Sequence, residues 1–457
     1  MSSSIPKFAD AAGAARLVSA LSGRFAVVAN PPYIHPPYEV YPLAPGRAVL
    51  DGGLRAAVMD MDGTTTTTEP LCIHALDSMV RRACGRAADP SWPGLDHEKD
   101  YPHIIGNSTT KHVEHLVRAY GDRFQDGPLR WHYIHAAAWT LECGRDAQRR
   151  REVRNTMAAV GVGALEGDGR FAELRKKLGT GGAAPLVDAL AADHGGSFVL
   201  DDVSSLTRAC IDIYYHRYHE VLELVGRGRG AEESEAVLGV PGARLIGPMP
   251  GIGVFLALLR GLLGADAAAF AGGMAAHLEK CGVTPPADMD GARARLAALG
   301  RCFETRPARV ALVTSSIAYE ADLVLGEVFR VLRGEVPGWP VPEARREKIL
   351  AAFASPEAYY DGIITATDSS EIRLKPHRDL YSIAMHELGV NPDDFGRVVG
   401  FEDSESGTIA IRAAGIQCCC ALPFHMTAGH LFEAATNVCP GGLPEVMLNR
   451  GVFLDGV

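Results

Sequence analysis

The sequence predicts an α/β fold built on a parallel sheet, with a long helical insertion after its first strand. Three observations carry this. Five short apolar runs end in polar or acidic residues, as strands buried on both faces do. Helical patterns alternate with the last four of them, the signature of crossover connections. About 245 residues of mainly helical pattern separate the first run from the second.

Taken in order, residues 1–50 are expected to form an N-terminal extension, with a helix over 11–21 and an arm over 31–45. Proline density in that arm favours extended backbone and blocks regular pairing. The first strand spans 54–60. Helices are expected over 73–83, 109–119, 131–158, 206–225 and 254–263, and the glycine runs 179–182 and 226–230 read as loops. The later strands are 309–315, 360–366, 397–403 and 416–422, with helices over 319–332, 379–388 and 408–414 between them. Cys418, Cys419 and Cys420 fall in the last strand and read as small apolar packing.

The 457 residues are 47% hydrophobic and 22% charged, which excludes wholesale disorder. At about 150 residues per domain, this is roughly three domains' worth of chain. The formal charge is −10, so counterion release offers little and no nucleic-acid partner is expected. Arg260 and Asp266 interrupt the most apolar stretch, so no membrane span is expected. No basic n-region followed by an apolar h-region opens the sequence, and ten cysteines form no disulfide framework. A soluble, reduced, cytoplasmic protein is expected; composition sets no oligomeric state.

The chemistry concentrates in Asp60-Met61-Asp62-Gly63-Thr64 at the end of the first strand. In parallel α/β sheets, ligands bind beyond the carboxyl ends of the strands. Later strand ends add Thr314, Ser315 and Ser316, then Lys375, then Glu402 and Asp403. Hard carboxylate oxygens suit Mg²⁺, a lysine adds a point charge, and hydroxyls and amides hold oxyanions, the components of phosphoryl transfer. A carboxylate nucleophile would split that transfer into two steps.

This ordered set, together with Lys375-Pro376, Phe401-Glu402-Asp403-Ser404 and the Pro250-Gly251-Ile252 turn, resembles the haloacid dehalogenase superfamily. More closely it resembles the phosphatase and β-phosphoglucomutase-like branch. The resemblance implies a three-layer, Rossmann-like core. It implies Asp60 as nucleophile and metal ligand, and Asp62 as general acid/base with its carbonyl on the metal. Gly63, Thr64, Thr314, Ser315 and Lys375 would hold phosphate, and Glu402 and Asp403 would complete a Mg²⁺ site. A cap over 70–248 would select the substrate, with core at 51–69 and 249–457 and an insertion near 264–307. Asn107, Ser108 and Lys111 would be cap residues facing substrate. The expected activity is hydrolysis of a small phosphorylated metabolite, sugar phosphates included. A phosphosugar mutase is the alternative, since the same residues serve it. A noncatalytic metabolite-binding module is the third reading; it has no need of both Asp60 and Asp62.

Other clusters read more plainly. The pairs His112/His115, His132/His135 and His216/His219 have same-face helical spacing but lack a completing zinc-ligand pattern, so solvated or hydrogen-bonded histidines are expected. The arginines from Arg145 to Arg154 read as a solvated helix face, and Thr64 to Thr68 as a turn.

Overall fold

The computed structural model describes residues 6–30, 34–105, 108–368, 372–423 and 431–453. Six parallel strands form the central sheet: β1 (Ala56–Asp60), β2 (Arg309–Val313), β3 (Gly362–Ile364), β4 (Val398–Glu402), β5 (Cys418–Ala421) and β6 (Asn437–Val438). Their order is β6-β5-β4-β1-β2-β3. All five strands read from the sequence are present. The sixth pairs only two residues with β5, too short to leave a periodic signal.

Alternation across the sheet separates two apolar layers. Ala57, Met59, Leu312, Phe401 and Cys420 face one; Ala56, Val58, Ala311, Val313 and Cys419 face the other. The second layer is closed by Leu380, Tyr381, Ala384, Ala410 and Ile411 from the helices Asp379–Glu387 and Glu405–Ala413. The first is closed by Phe255, Leu256, Val324 and Val328 from Ile252–Leu259 and Ala318–Glu335. The three-layer α/β core follows from this period-two burial. The triple cysteine is wholly buried in β5.

Register aligns the functional edge. Asp60 pairs with Val313, so Thr314 follows directly beside it. Met59 pairs with Phe401, so Glu402 and Asp403 emerge next to Asp60.

The chain leaves and re-enters the core through a short antiparallel ladder, Thr66 with Pro248 and Thr67 with Gly247. Helices fill the sequence between. The expected helix over 131–158 is two, Asp126–Cys143 and Ala147–Ala159. Asp146 ends the continuity by accepting a hydrogen bond from the Arg149 amide at 2.5 Å, as an N-cap does. Helices Gly169–Lys177, Ala183–His194 and Gly230–Leu238 were not legible, and the last begins at a glycine read as loop.

The N-terminal helix is Ala11–Leu21, as the sequence predicts. The expectation that proline blocks pairing in the arm is corrected: Tyr38–Pro42 pairs antiparallel with Phe25–Ala29. Pro42 is the only proline in that strand and sits at the ladder's end, where a missing N–H disturbs least. No described helix is long and apolar enough to cross a membrane, and all ten cysteines are free thiols.

Residues 264–305 form a 3-10 turn, Gly264–Phe270, and the helices Ala271–Lys280 and Met289–Thr305. Gly300 lets the last helix pack directly on backbone, since a Cβ there would lie 1.9 Å from the Gly264 carbonyl oxygen. Gly300→Ala is expected to cost about 1–3 kcal/mol through overpacking. A denaturant midpoint unchanged from the wild type would refute this close approach.

Candidate functional site

Asp60 ends β1, and the chain turns immediately through Gly63. Gly63 has φ +77°, and a Cβ there would fall 2.1 Å from Asp403 Oδ2. Glycine is thus required twice, for the turn and for the approach of Asp403. The threonine run builds the loop internally. Thr65 Oγ1 donates to the Asp60 carbonyl at 2.7 Å, Thr66 Oγ1 to the Met61 carbonyl at 3.2 Å, and Thr67 Oγ1 to the Gly247 carbonyl at 3.2 Å. Thr68 Oγ1 donates to Asp62 Oδ1 at 2.6 Å, and Ser316 Oγ to Asp62 Oδ2 at 3.1 Å. Both oxygens of Asp62 are therefore held.

Lys375 Nζ is hydrogen-bonded to Asp60 Oδ1 and lies 2.6 Å from Glu402 Oε1. Tyr381 donates to the same Glu402 oxygen at 3.1 Å. The other, Oε2, accepts from the Ser404 amide at 2.9 Å and its hydroxyl at 2.8 Å. Oxygens of Asp60, Glu402 and Asp403 lie within 4.8 Å of one another, the one such acidic group among the described residues.

Three buried carboxylates thus meet one ammonium, which pairs with two of them, Asp60 and Glu402. Burial, then the charge of Glu402, raises Asp60 well above the usual carboxylate range, against the pull of Lys375. Burial, Glu402 and Asp60 do the same to Asp403. Glu402 goes the other way: burial works against its charge, but Lys375 and the Ser404 donors outweigh it. Burial tends to lower Lys375; Asp60 and Glu402 reverse that and raise it. Asp62 is raised by burial, with the Thr68 and Ser316 hydrogen bonds opposing. Glu69 is pushed up to about 7, chiefly by burial.

These groups open into a cavity of about 1000 Å³ shared between the sheet edge and the inserted helices. Asp60, Asp62, Thr314, Ser315, Lys375, Glu402 and Asp403 all line it. Thr314 is fixed by its amide, which donates to the Ile364 carbonyl at 2.8 Å, while its hydroxyl accepts from the Ser316 amide at 2.9 Å. Two expected phosphate ligands are placed otherwise. The Gly63 amide already donates to the Thr66 carbonyl at 2.8 Å. Thr64 is buried and lines a small separate cavity with His277 and Leu443. The tight turn that positions Asp62 uses the Gly63 amide and turns the Thr64 side chain away from the larger cavity.

Of the expected residues on the insertion, Ser108 lines the cavity, whereas Lys111 is exposed and outside its lining. Asn107 lies outside the described residues.

The expected solvated arginine face is corrected at Arg149. It is buried, ion-paired to Asp212 and, at 2.8 Å, to Glu152, with its guanidinium 4.5 Å from the Tyr215 ring centre. The helix Ala147–Ala159 turns this residue inward while Arg151 and Arg154 stay exposed. His112, His216 and His219 are buried, and of the two expected states His216 and His219 take the hydrogen-bonded one, with Arg82 at 3.1 Å and Glu320 at 2.7 Å.

Sequence reasoning missed Thr68 and Tyr381 as partners of Asp62 and Glu402. It also missed Tyr214, Tyr215, Tyr218, His219 and Glu320, which line the cavity. A signal existed for the last group. Tyr214, Tyr215, Tyr218 and His219 cluster within two turns of one helix, Val203–Gly226, where aromatic residues at this density mark a lined wall. Burial first, then the charges of Glu320 and Asp62, raises the Tyr218 phenol well above its ordinary range.

The N-terminal hairpin reaches the loop of Lys375. Tyr41 Oη lies 2.9 Å from His377 Nδ1, and Glu39 is 3.9 Å from the Arg373 guanidinium.

Comparison with known proteins gives the following. No family model matches the chain. A stretch of 74 residues is 38% identical to the Bacillus subtilis protein named "Putative phosphatase YhcW", covering 16% of this chain and 31% of that protein. The chain thus matches less than a third of that relative's length. Among solved structures, it is similar to CbbY from Rhodobacter sphaeroides in complex with phosphate, with 15% identity and a TM-score of 0.37 over 87% of this chain and 99% of that one. It is also similar to a HAD family hydrolase from Deinococcus radiodurans with bound phosphate and sodium, with 14% identity and a TM-score of 0.34 over 88% and 99%.

Removing the shared ammonium should expose the repulsion it relieves. Lys375→Met is expected to destabilise the metal-free protein by about 3–5 kcal/mol at neutral pH, the cost of leaving a buried pair unpartnered. Urea unfolding measures this, and an unchanged midpoint would contradict the arrangement.

Proposed function

We propose that the chain is a haloacid dehalogenase-type phosphohydrolase that acts on a small phosphate monoester through an aspartyl-phosphate on Asp60. One observation carries the reading: at a single sheet edge, Asp60 meets Lys375 while Asp62, held separately by Thr68 and Ser316, faces the same cavity. Two carboxylates in such different surroundings suit different roles.

In the first step an Asp60 carboxylate oxygen attacks phosphorus and the bond from phosphorus to the leaving oxygen breaks. Asp62, whose burial favours the protonated form, gives that oxygen its proton. In the second step Asp62 takes a proton from water as the water attacks phosphorus. Inorganic phosphate leaves and the Asp60 carboxylate is restored. Lys375 neutralises charge on Asp60, and Thr314 with the Ser315 amide holds phosphoryl oxygens. The inserted helices act as a cap over the site, spanning about 70–248.

The donor set fits Mg²⁺. Asp60, Glu402 and Asp403 are hard oxygen ligands in one buried group, and one ammonium leaves their charge undercompensated. Asp60 and Asp403 would hold the ion with Glu402 beside them, since both Glu402 oxygens already accept hydrogen bonds. When bound, the ion supplies positive charge against the phosphoryl oxygens.

Phosphate release from a panel of phosphorylated metabolites tests the reading. Asp60→Asn should abolish release, and Asp62→Asn should lower kcat by about 10²–10⁴. EDTA should remove activity and Mg²⁺ restore it. An Asp60→Asn variant as active as the wild type would overturn the nucleophile assignment. An isomerised product without free phosphate would identify a mutase instead.

A further inference from the structure

Among the described residues, nine carboxylates line the cavity but only three cationic side chains do. Two of the cations are committed, Lys375 to Asp60 and Glu402, and Arg149 to Asp212 and Glu152. The third, Arg208, is exposed. Away from the nucleophile the cavity therefore carries excess negative charge. An anionic leaving group would be repelled there, and a neutral one would leave that charge unanswered.

Glu320 is one of these carboxylates. It is buried, and its Oε1 lies 2.7 Å from His219 Nε2. Aromatic rings pack on that histidine. Tyr215 and Tyr218 pack on His219 with ring centres 5.4 and 5.9 Å apart, and on each other at 6.4 Å. Tyr218 is only 8% exposed and lines the cavity. Asp62, Tyr218 and Glu320 line the same cavity, and Ser316, which holds Asp62, lies four residues before Glu320, so this aromatic wall borders the side from which the leaving oxygen takes its proton. Aromatic faces with a carboxylate behind them attract an organic cation by quadrupole and charge together.

We propose that the leaving alcohol of the substrate carries an ammonium group, lodged between Tyr218 and Glu320, the Tyr215 ring being already covered by Arg149. The substrate class is then aminoalkyl phosphate esters. This rests on the phosphohydrolase reading above.

The test compares kcat/KM of the full chain with Mg²⁺ on choline phosphate, on its uncharged isostere 3,3-dimethylbutyl phosphate, and on p-nitrophenyl phosphate. The cationic ester is expected to be preferred over the isostere by at least about tenfold, the scale of a desolvated cation–aromatic contact. Glu320→Gln should collapse that ratio. Tyr218→Leu should lower it as well, and serves if the first variant does not fold. Equal turnover of the two esters, or an unchanged ratio in a folded variant, overturns the inference. If p-nitrophenyl phosphate is cleaved without a preference for the cation, this inference fails while the phosphohydrolase reading stands. If none of the three esters is cleaved, both fail.

Discussion

Asp60, Glu402 and Asp403 crowd three carboxylates into one buried corner of the sheet edge, and Lys375 is the ammonium set among them. Like charges at such range are tolerated only if each is partnered or gives up its charge. The structure does both. Glu402 is saturated by Lys375, Tyr381 and Ser404 and held below the usual carboxylate range; burial and neighbouring charge raise Asp403 above it, and Asp60 too despite its pairing with Lys375. Much of the local backbone serves this corner. Gly63 makes room for Asp403, and Gly407 for Glu402, whose carboxylate would lie 1.8 Å from a Cβ at that position.

The parts of this arrangement that sit on strands were legible in the sequence. Strand ends carry a strong local pattern, an apolar run closing on an acidic residue, and sheet register then brings distant ends together. Asp60, Thr314, Glu402 and Asp403 follow from that alone. Lys375 sits on the loop after β3, where its place beyond a strand end singled it out and the Lys375-Pro376 resemblance gave it a role. A turn's internal hydrogen bonds are invisible to a motif: the Gly63 amide is used by Thr66, and Thr64 faces a different cavity.

The inserted helices were the least legible part. Arg149 belongs to a run of arginines that any sequence reading places in solvent, yet one turn of helical phase carries it inward to Asp212. Buried pairing between elements far apart in sequence leaves no local periodicity. The same holds for His219 and Glu320, which join the insertion to the helix following β2.

The register of β1 has a further consequence, in the order of assembly. Its two neighbours come from about 250 and about 340 positions further along the chain. Contacts of such separation form late, because loop closure must be achieved before they return any stability. The inserted helices pack largely on one another and can assemble while β1 is still without a partner. During synthesis the first strand therefore waits, apolar on both faces and open at both edges, until β2 and β4 emerge. Such a segment is where aggregation competes with folding, and the centre of the finished sheet is the part of the nascent chain most in need of shelter.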